Sequence, residues 1–262
     1  MRIGKQDAPF TAISTSDAET ITVRGHDLCR ELIGKVDFAD YFFLLLMGKP
    51  PTADQSFFVN ALLVAIAEHG LVPSVQAARM TLAAAPEAIQ GAVAAGLLGS
   101  GSVVLGSAET AGHFLRDLVQ ASANGDPAEV AAARIREMRK TKTAIPGFGH
   151  PQHSGGDPRA NVLLGLADER DLNGPYIRML RTVAEVLPDA LGRPLPININ
   201  GAIPAILLEI GFPVTALKSI SVLARTAGLL AHLREEAERS IGFIMSHAAA
   251  EAITYDGSPA AK

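Results

Sequence analysis

The side chains able to carry chemistry in this sequence gather in a few places. Glu68-His69-Gly70 puts a histidine at the expected C-terminus of a helix, where the macrodipole favours a held proton. Gly147-Phe148-Gly149-His150 puts a second histidine, a candidate acid or base, in a stretch from 144 to 160 that holds four glycines and three prolines. Glycines there let backbone N–H groups approach a ligand closely. Asp157-Pro158 reads as an N-cap followed by the first helical position, so Arg159 falls in a first turn. Asn198-Ile199-Asn200-Gly201 closes a loop rich in proline and asparagine. Arg225 lies inside an apolar helical run, 221–228, where a guanidinium costs free energy unless an internal carboxylate or an anionic ligand meets it. The sequence leaves both partners open. Arg136, Arg139, Lys140 and Lys142 close the helix before the glycine loop, as dipole complements or as a seat for the phosphates of a nucleotide-like cofactor. His113 reads as structural, and His153 and His247 as exposed. There is no cysteine pair, no His-Glu-x-x-His, no Gly-x-Ser-x-Gly and no P-loop, which argues against metal, serine-hydrolase and nucleotide-hydrolysing chemistry.

The elements that must hold these residues are helical by pattern. A chain of 262 residues, 48% hydrophobic and without tryptophan, predicts an all-α class with one large domain or a large and a small one. A net charge of −4 offers no basic surface to nucleic acid or to an anionic membrane. The single cysteine, Cys29, rules out an internal disulfide, fits a reducing, cytoplasmic setting and reads as an inert buried thiol. The first residues lack the apolar core of a secretory signal. Ile21 and Val23 predict a short strand, followed by a helix from Asp27 with Leu28, Leu32 and Ile33 on one face and another through Phe42 to Met47. Thr52 and Gln55 form a capping box for a helix whose buried stripe is Phe58, Leu62 and Ile66. Residues 74–85 and 86–104 read as two apolar helices broken at Pro86. The uncharged run 88–108 is long enough to cross a bilayer, but the expectation is a buried central helix whose small residues Ala92, Gly96 and Ser100 meet another helix. Further helices are expected over 109–121, from Asp126-Pro127 to the basic turn, over 159–167 and 176–186, from Asn200 to Gly211, and from about 215 to 239.

Taken together and in order, these motifs resemble the citrate synthase superfamily, and within it the short citryl-CoA lyase branch that includes the C-terminal part of ATP-citrate lyase. Residues 21–28, Glu68-His69-Gly70, Gly147–His150, Arg159, Asn198–Gly201 and the run Ala224-Arg225-Thr226-x-Gly228 with Ala231-His232 each resemble a family motif in the family's order. The resemblance implies an all-α fold with a large helical domain (1–106 plus 214–262, dimer-forming) and a small domain (107–213) carrying the CoA loop. It implies a homodimer or higher homo-oligomer that acts on a CoA thioester with no metal and no nucleic-acid or membrane partner. In that picture His69, His150 and Asn200 are catalytic, Arg159 and Arg225 bind substrate carboxylates, and Lys140, Lys142, Ile145, Gly147, Phe148 and Gly149 bind CoA. The implied reaction is retro-Claisen cleavage of citryl-CoA, or a related 3-hydroxy-acyl-CoA, to acetyl-CoA and oxaloacetate or another 2-oxo acid. Two departures matter. Leu105 replaces the synthases' thioester-polarising histidine, as in the lyase branch, and Asn200 replaces the family's proton-transfer aspartate. The alternative reading is a catalytically silent homologue that binds CoA esters or tricarboxylates.

Overall fold

The computed structural model describes residues 10–101, 106–149 and 156–257. Three short strands, β1 (Ser14–Ser16), β2 (Ile21–Val23) and β3 (His26–Asp27), form a small antiparallel sheet in that order, with Thr15 opposite Thr22 and Val23 opposite His26. Eleven α-helices follow among the described residues. They are α1 (Phe38–Met47), α2 (Ala53–Ala67), α3 (Pro73–Ala84), α4 (Ile89–Leu98), α5 (Gly106–Ala121), α6 (Pro127–Lys140), α7 (Pro158–Glu169), α8 (Pro175–Leu191), α9 (Ile199–Glu209), α10 (Leu217–Glu238) and α11 (Gly242–Ala252). The all-α expectation holds.

The helix enclosed by the others is α9. Residues 201–208 are buried on every side, as an apolar helix without a polar face must be. Around it the main core joins α2, α5, α6, α7, α8 and the first half of α10, with Phe58, Leu115, Ile135, Leu180 and Leu217 fully buried. A second core, where α3, α4 and α10 meet, holds Val75, Leu82, Ala92 and Leu229. Since α10 enters both, its residues can be presented to either. The segment Val214–Glu238 is long and apolar enough to cross a membrane, but half of it is buried inside the fold, as in a core helix.

Several local expectations stand. Thr52 and Gln55 form the reciprocal capping box, and Gly48 closes α1 in the left-handed conformation that glycine adopts without strain. The small residues of α4 do meet another helix: Ala92 and Ser100 are buried, and a Cβ on Gly96 would overlap Leu229 of α10. Others are corrected. The run 88–108 is not a buried central helix; α4 ends at Leu98, which is 84% exposed, and only one side of it is covered. Cys29 is exposed, because residues 28–32 form a single wide turn held by the Asp27 carboxylate instead of an amphipathic helix, and Ile33 points outward with it. Helix α8 continues through Pro188 to Leu191, four residues past its expected loop start, and Gly192 then closes it. The helix α11 has no counterpart in the sequence expectations.

Candidate functional site

The most tightly specified part of the site is the meeting of the glycine loop with the start of α9. Asn198 is the N-cap: its Oδ1 accepts from the Gly201 N–H at 3.2 Å, while its Nδ2 donates to the Gly149 carbonyl at 2.6 Å. The Asn198 N–H donates to the Gly147 carbonyl, and the Gly149 N–H to the Pro196 carbonyl. A Cβ on Gly147, which has φ +86°, would lie 2.7 Å from the Gly201 Cα. Both glycines are therefore required for backbone to pack on backbone. This differs from the expected use of loop glycines to approach a ligand, and it fixes Asn200, half-buried in the first turn of α9, relative to the loop.

Ile145 and Phe148 turn their side chains into the core, so any CoA contact from them is through the backbone. Lys140 ends α6 and Lys142 has a left-handed backbone; both are exposed beside the loop. A cavity of about 610 Å³ lies between α5 and α6 beneath residues 143–146, lined among others by Thr110, His113, Arg134 and Pro146. His113 thus faces a cavity, not the core. None of His69, Arg159, Asn200 or Arg225 lines this cavity. His150, His153 and Leu105 lie outside the described residues.

Arg159 is positioned by its own N-cap. Asp157 is fully buried and starts α7; its carboxylate accepts from the Arg159 N–H (3.1 Å), Nε (3.0 Å) and Nη2 (2.9 Å), and from the Ile199 N–H of α9 (3.0 Å). Burial raises the Asp157 pKa, but the Arg159 hydrogen bonds and charge and the Ile199 N–H outweigh it and hold the carboxyl below its ordinary value. One carboxylate therefore aims the arginine and ties the starts of α7 and α9 together.

Arg225 is buried where the sequence left its partner open. Its side chain is 5% exposed, and Nε and Nη1 find no hydrogen-bond partner among the described residues. Burial pushes its pKa down; Glu68 opposes that through its charge, and Arg159 reinforces it. Two guanidiniums are therefore near enough to repel, and the buried one has donors that no described group accepts.

Helix packing brings His69 to the same place. Gly228, three residues after Arg225 on α10, lies so close to the end of α2 that a Cβ would overlap the Ala67 carbonyl oxygen and reach within 3.2 Å of Glu68 Oε2. Glu68 caps α2 and accepts from the His69 N–H at 2.8 Å and from the Gly70 N–H. Gly228→Ala is expected to lower stability by about 1–3 kcal/mol, the usual cost of overfilling a packed contact. The guanidinium chloride midpoint checks this; an unchanged midpoint would show that α10 and α2 can separate freely.

Sequence reasoning missed Arg79. It is buried on α3, with Nε 2.6 Å from Glu236 Oε2 and Nη1 2.8 Å from Glu235 Oε2. The available signal was the spacing 221, 225, 228, 232, 236 on α10, a helical stripe of small and polar residues within an apolar helix.

Comparison with known proteins bears on the fold and the family. Residues 54–244 match the family model for the citrate synthase C-terminal domain. The structure of citryl-CoA lyase from Hydrogenobacter thermophilus is similar with a TM-score of 0.86 and 31% identity, over 100% of this chain and 97% of that one. ATP citrate lyase from Methanothrix soehngenii, solved with citrate and coenzyme A, shares the fold at a TM-score of 0.79 and 22% identity, over 98% of this chain and 43% of its own. Citrate synthase from Thermoplasma acidophilum is 25% identical over 243 residues, 89% of this chain and 62% of its own length. A second citrate synthase, from Saccharolobus solfataricus, is matched over 53% of its length, so the chain spans little more than half of these curated relatives.

Proposed function

This chain belongs to the citrate synthase family, and from that premise we propose that it cleaves citryl-CoA, or a related 3-hydroxy-acyl-CoA, by retro-Claisen chemistry. The observation that carries the reading is the buried Arg225, whose Nε and Nη1 have no hydrogen-bond partner among the described residues, near Arg159, a cationic pair suited to a polycarboxylate. The likeness to a citryl-CoA lyase along nearly the whole of both chains supports the lyase direction.

In the proposed reaction His150 takes the proton of the substrate hydroxyl as the carbon–carbon bond breaks. A carbonyl forms on the 2-oxo acid, and the electron pair becomes the enolate of the acetyl thioester. His69 orients the hydroxyl as it becomes that carbonyl, and Arg159 and Arg225 hold carboxylates in charge-assisted pairs. Asn200, at the positive end of α9, donates a hydrogen bond to the enolate oxygen. An amide cannot deliver the proton that the enolate carbon then takes, so that proton comes from another group. The exposed Lys140 and Lys142 are suited to CoA phosphates, and the cavity under residues 143–146 is within the size range of ligand pockets.

We further propose the two-domain division given above and a homodimer or higher homo-oligomer. The apolar surface left on Leu98, Phe243 and Ile244 supports the association. Incubation with citryl-CoA, with oxaloacetate followed through coupled NADH oxidation, tests the activity. Turnover that is lost in His150→Ala is the expected result. Saturable acetyl-CoA binding without any turnover would instead favour the silent-homologue reading, for which Asn200 is the specific ground.

A further inference from the structure

We propose that His232 is a positioning residue for the active site: its imidazole joins the buried Arg79–Glu236 pair to Glu68, and through Glu68 it fixes the backbone that carries His69. The proposal rests on the reading of His69 as a substrate-orienting group.

The geometry determines which way the imidazole works. Arg79 Nη1 lies 3.3 Å from His232 Nδ1, and a guanidinium has only donors. Nδ1 is therefore the acceptor, and the ring proton sits on Nε2. That nitrogen lies 2.9 Å from Glu68 Oε2 and donates to it. The other Glu68 oxygen accepts from the N–H groups of His69 and Gly70. A continuous path of directed hydrogen bonds thus runs from α3 through α10 to the residue after α2. Its far end is rigid: Arg79 and Glu236 are 3% and 1% exposed, and Glu236 also accepts from the Gly242 N–H at 2.8 Å and from the Ser240 hydroxyl at 2.6 Å.

The near end lies closer to solvent. Glu68 is 46% exposed, and among the described residues the hydrogen bond from His232 ties it to α10, while its bonds from His69 and Gly70 come from the adjoining backbone. His232 thereby ties to α10 the carboxylate that receives the His69 and Gly70 N–H groups. Glu68 also supplies the negative charge that opposes the burial of Arg225, so the same imidazole keeps that charge in place. Arg225, Gly228 and His232 recur at three and four residues along α10, which is why one helix face can serve both ends of the site.

The test compares His232→Phe, which keeps a ring and removes both nitrogens, with His232→Gln, which keeps one donor and one acceptor. With citryl-CoA, the Phe variant is expected to lose about tenfold or more in kcat, as misplacement of a reacting geometry does, with KM for the thioester and the unfolding midpoint little changed; Gln should recover most of the loss. The His69 ring resonance of the ligand-free protein, assigned with His69→Ala, should shift or broaden in the Phe variant and return in the Gln variant. A Phe variant with wild-type kcat and an unmoved His69 resonance would overturn the proposal. So would equal losses in kcat, KM and stability that Gln fails to restore. If the wild-type protein does not cleave citryl-CoA, the functional reading fails, and the His69 resonance still decides the positioning role.

Discussion

Arg225→Met should leave the ligand-free protein more stable than wild type and nearly abolish turnover. A buried guanidinium with two donor nitrogens unpaired is held at a cost in the absence of ligand, because its desolvation is not repaid by hydrogen bonds. Methionine fills similar space without charge, and replacing uncompensated buried charge by apolar side chains typically stabilises by about 1–4 kcal/mol. The neighbouring Arg159 adds repulsion that the substitution also removes. Activity should move the other way. Losing a charge-assisted carboxylate contact in a desolvated site costs about 2–5 kcal/mol, or roughly 30-fold to 5,000-fold in kcat/KM. Thermal unfolding with and without citrate separates the two effects. Wild type should gain stability from citrate, whereas the variant should start higher and gain little. A ligand-free variant less stable than wild type would mean that Arg225 is satisfied within the fold, and the anion-site reading would fall.

How far the sequence carried this site depends on whether each signal was local. Asp157 capping α7 and the Thr52–Gln55 box were legible, because a cap is specified by residues within one turn of each other. Arg225 was legible for a related reason, since a charge in an apolar run demands an explanation wherever the fold places it. Burial of whole helices was not legible. Residues 88–108 and 199–208 are equally free of charge, yet the first contains α4 with one side exposed and the second makes up nearly all of the enclosed α9. Hydrophobicity does not say which neighbours a helix finds, and Leu98 shows apolar surface left outside. Cys29 was misjudged because the turn at 28–32 follows from the Asp27 carboxylate accepting two backbone N–H groups, which overrides the apolar pattern. The Arg79–Glu236 pair is separated by 157 positions in the chain, and nothing local to either residue names the other. The resemblance supplied the order of the motifs; it could not show that Gly147 of the loop packs backbone to backbone against Gly201 of α9.

Asp157→Asn is the substitution expected to cost most in both stability and activity. The buried carboxylate accepts four hydrogen bonds, three from Arg159 and one from the Ile199 N–H. An amide of the same shape keeps one acceptor oxygen and turns two N–H donors toward groups that are donors themselves. It also removes the charge opposite Arg159, and breaking a buried pair on one side typically costs about 3–5 kcal/mol. The pH dependence gives the claim its sign. The Asp157 carboxyl titrates below its ordinary 3.8 in the folded chain, so its contribution is complete above the unfolded value and disappears as pH falls through the lower, folded one. Glu236 acts in the same direction. Burial raises its pKa, but hydrogen bonds from Ser240, Gly242, Ile241 and Arg79 bring it down to about 2 from 4.5, so its contribution also drains away only in acid. Wild type and Asp157→Asn should therefore differ most in urea midpoint at neutral pH and converge as pH falls below 3.8. Glu236 is present in both proteins and cancels in that difference. A gap that stayed constant into acid would mean that Asp157 acts through shape alone. Turnover should fall with the neutral-pH stability loss and beyond it, because Arg159 and the first turn of α9 lose their common anchor and the carboxylate site no longer faces Asn200 in a fixed geometry.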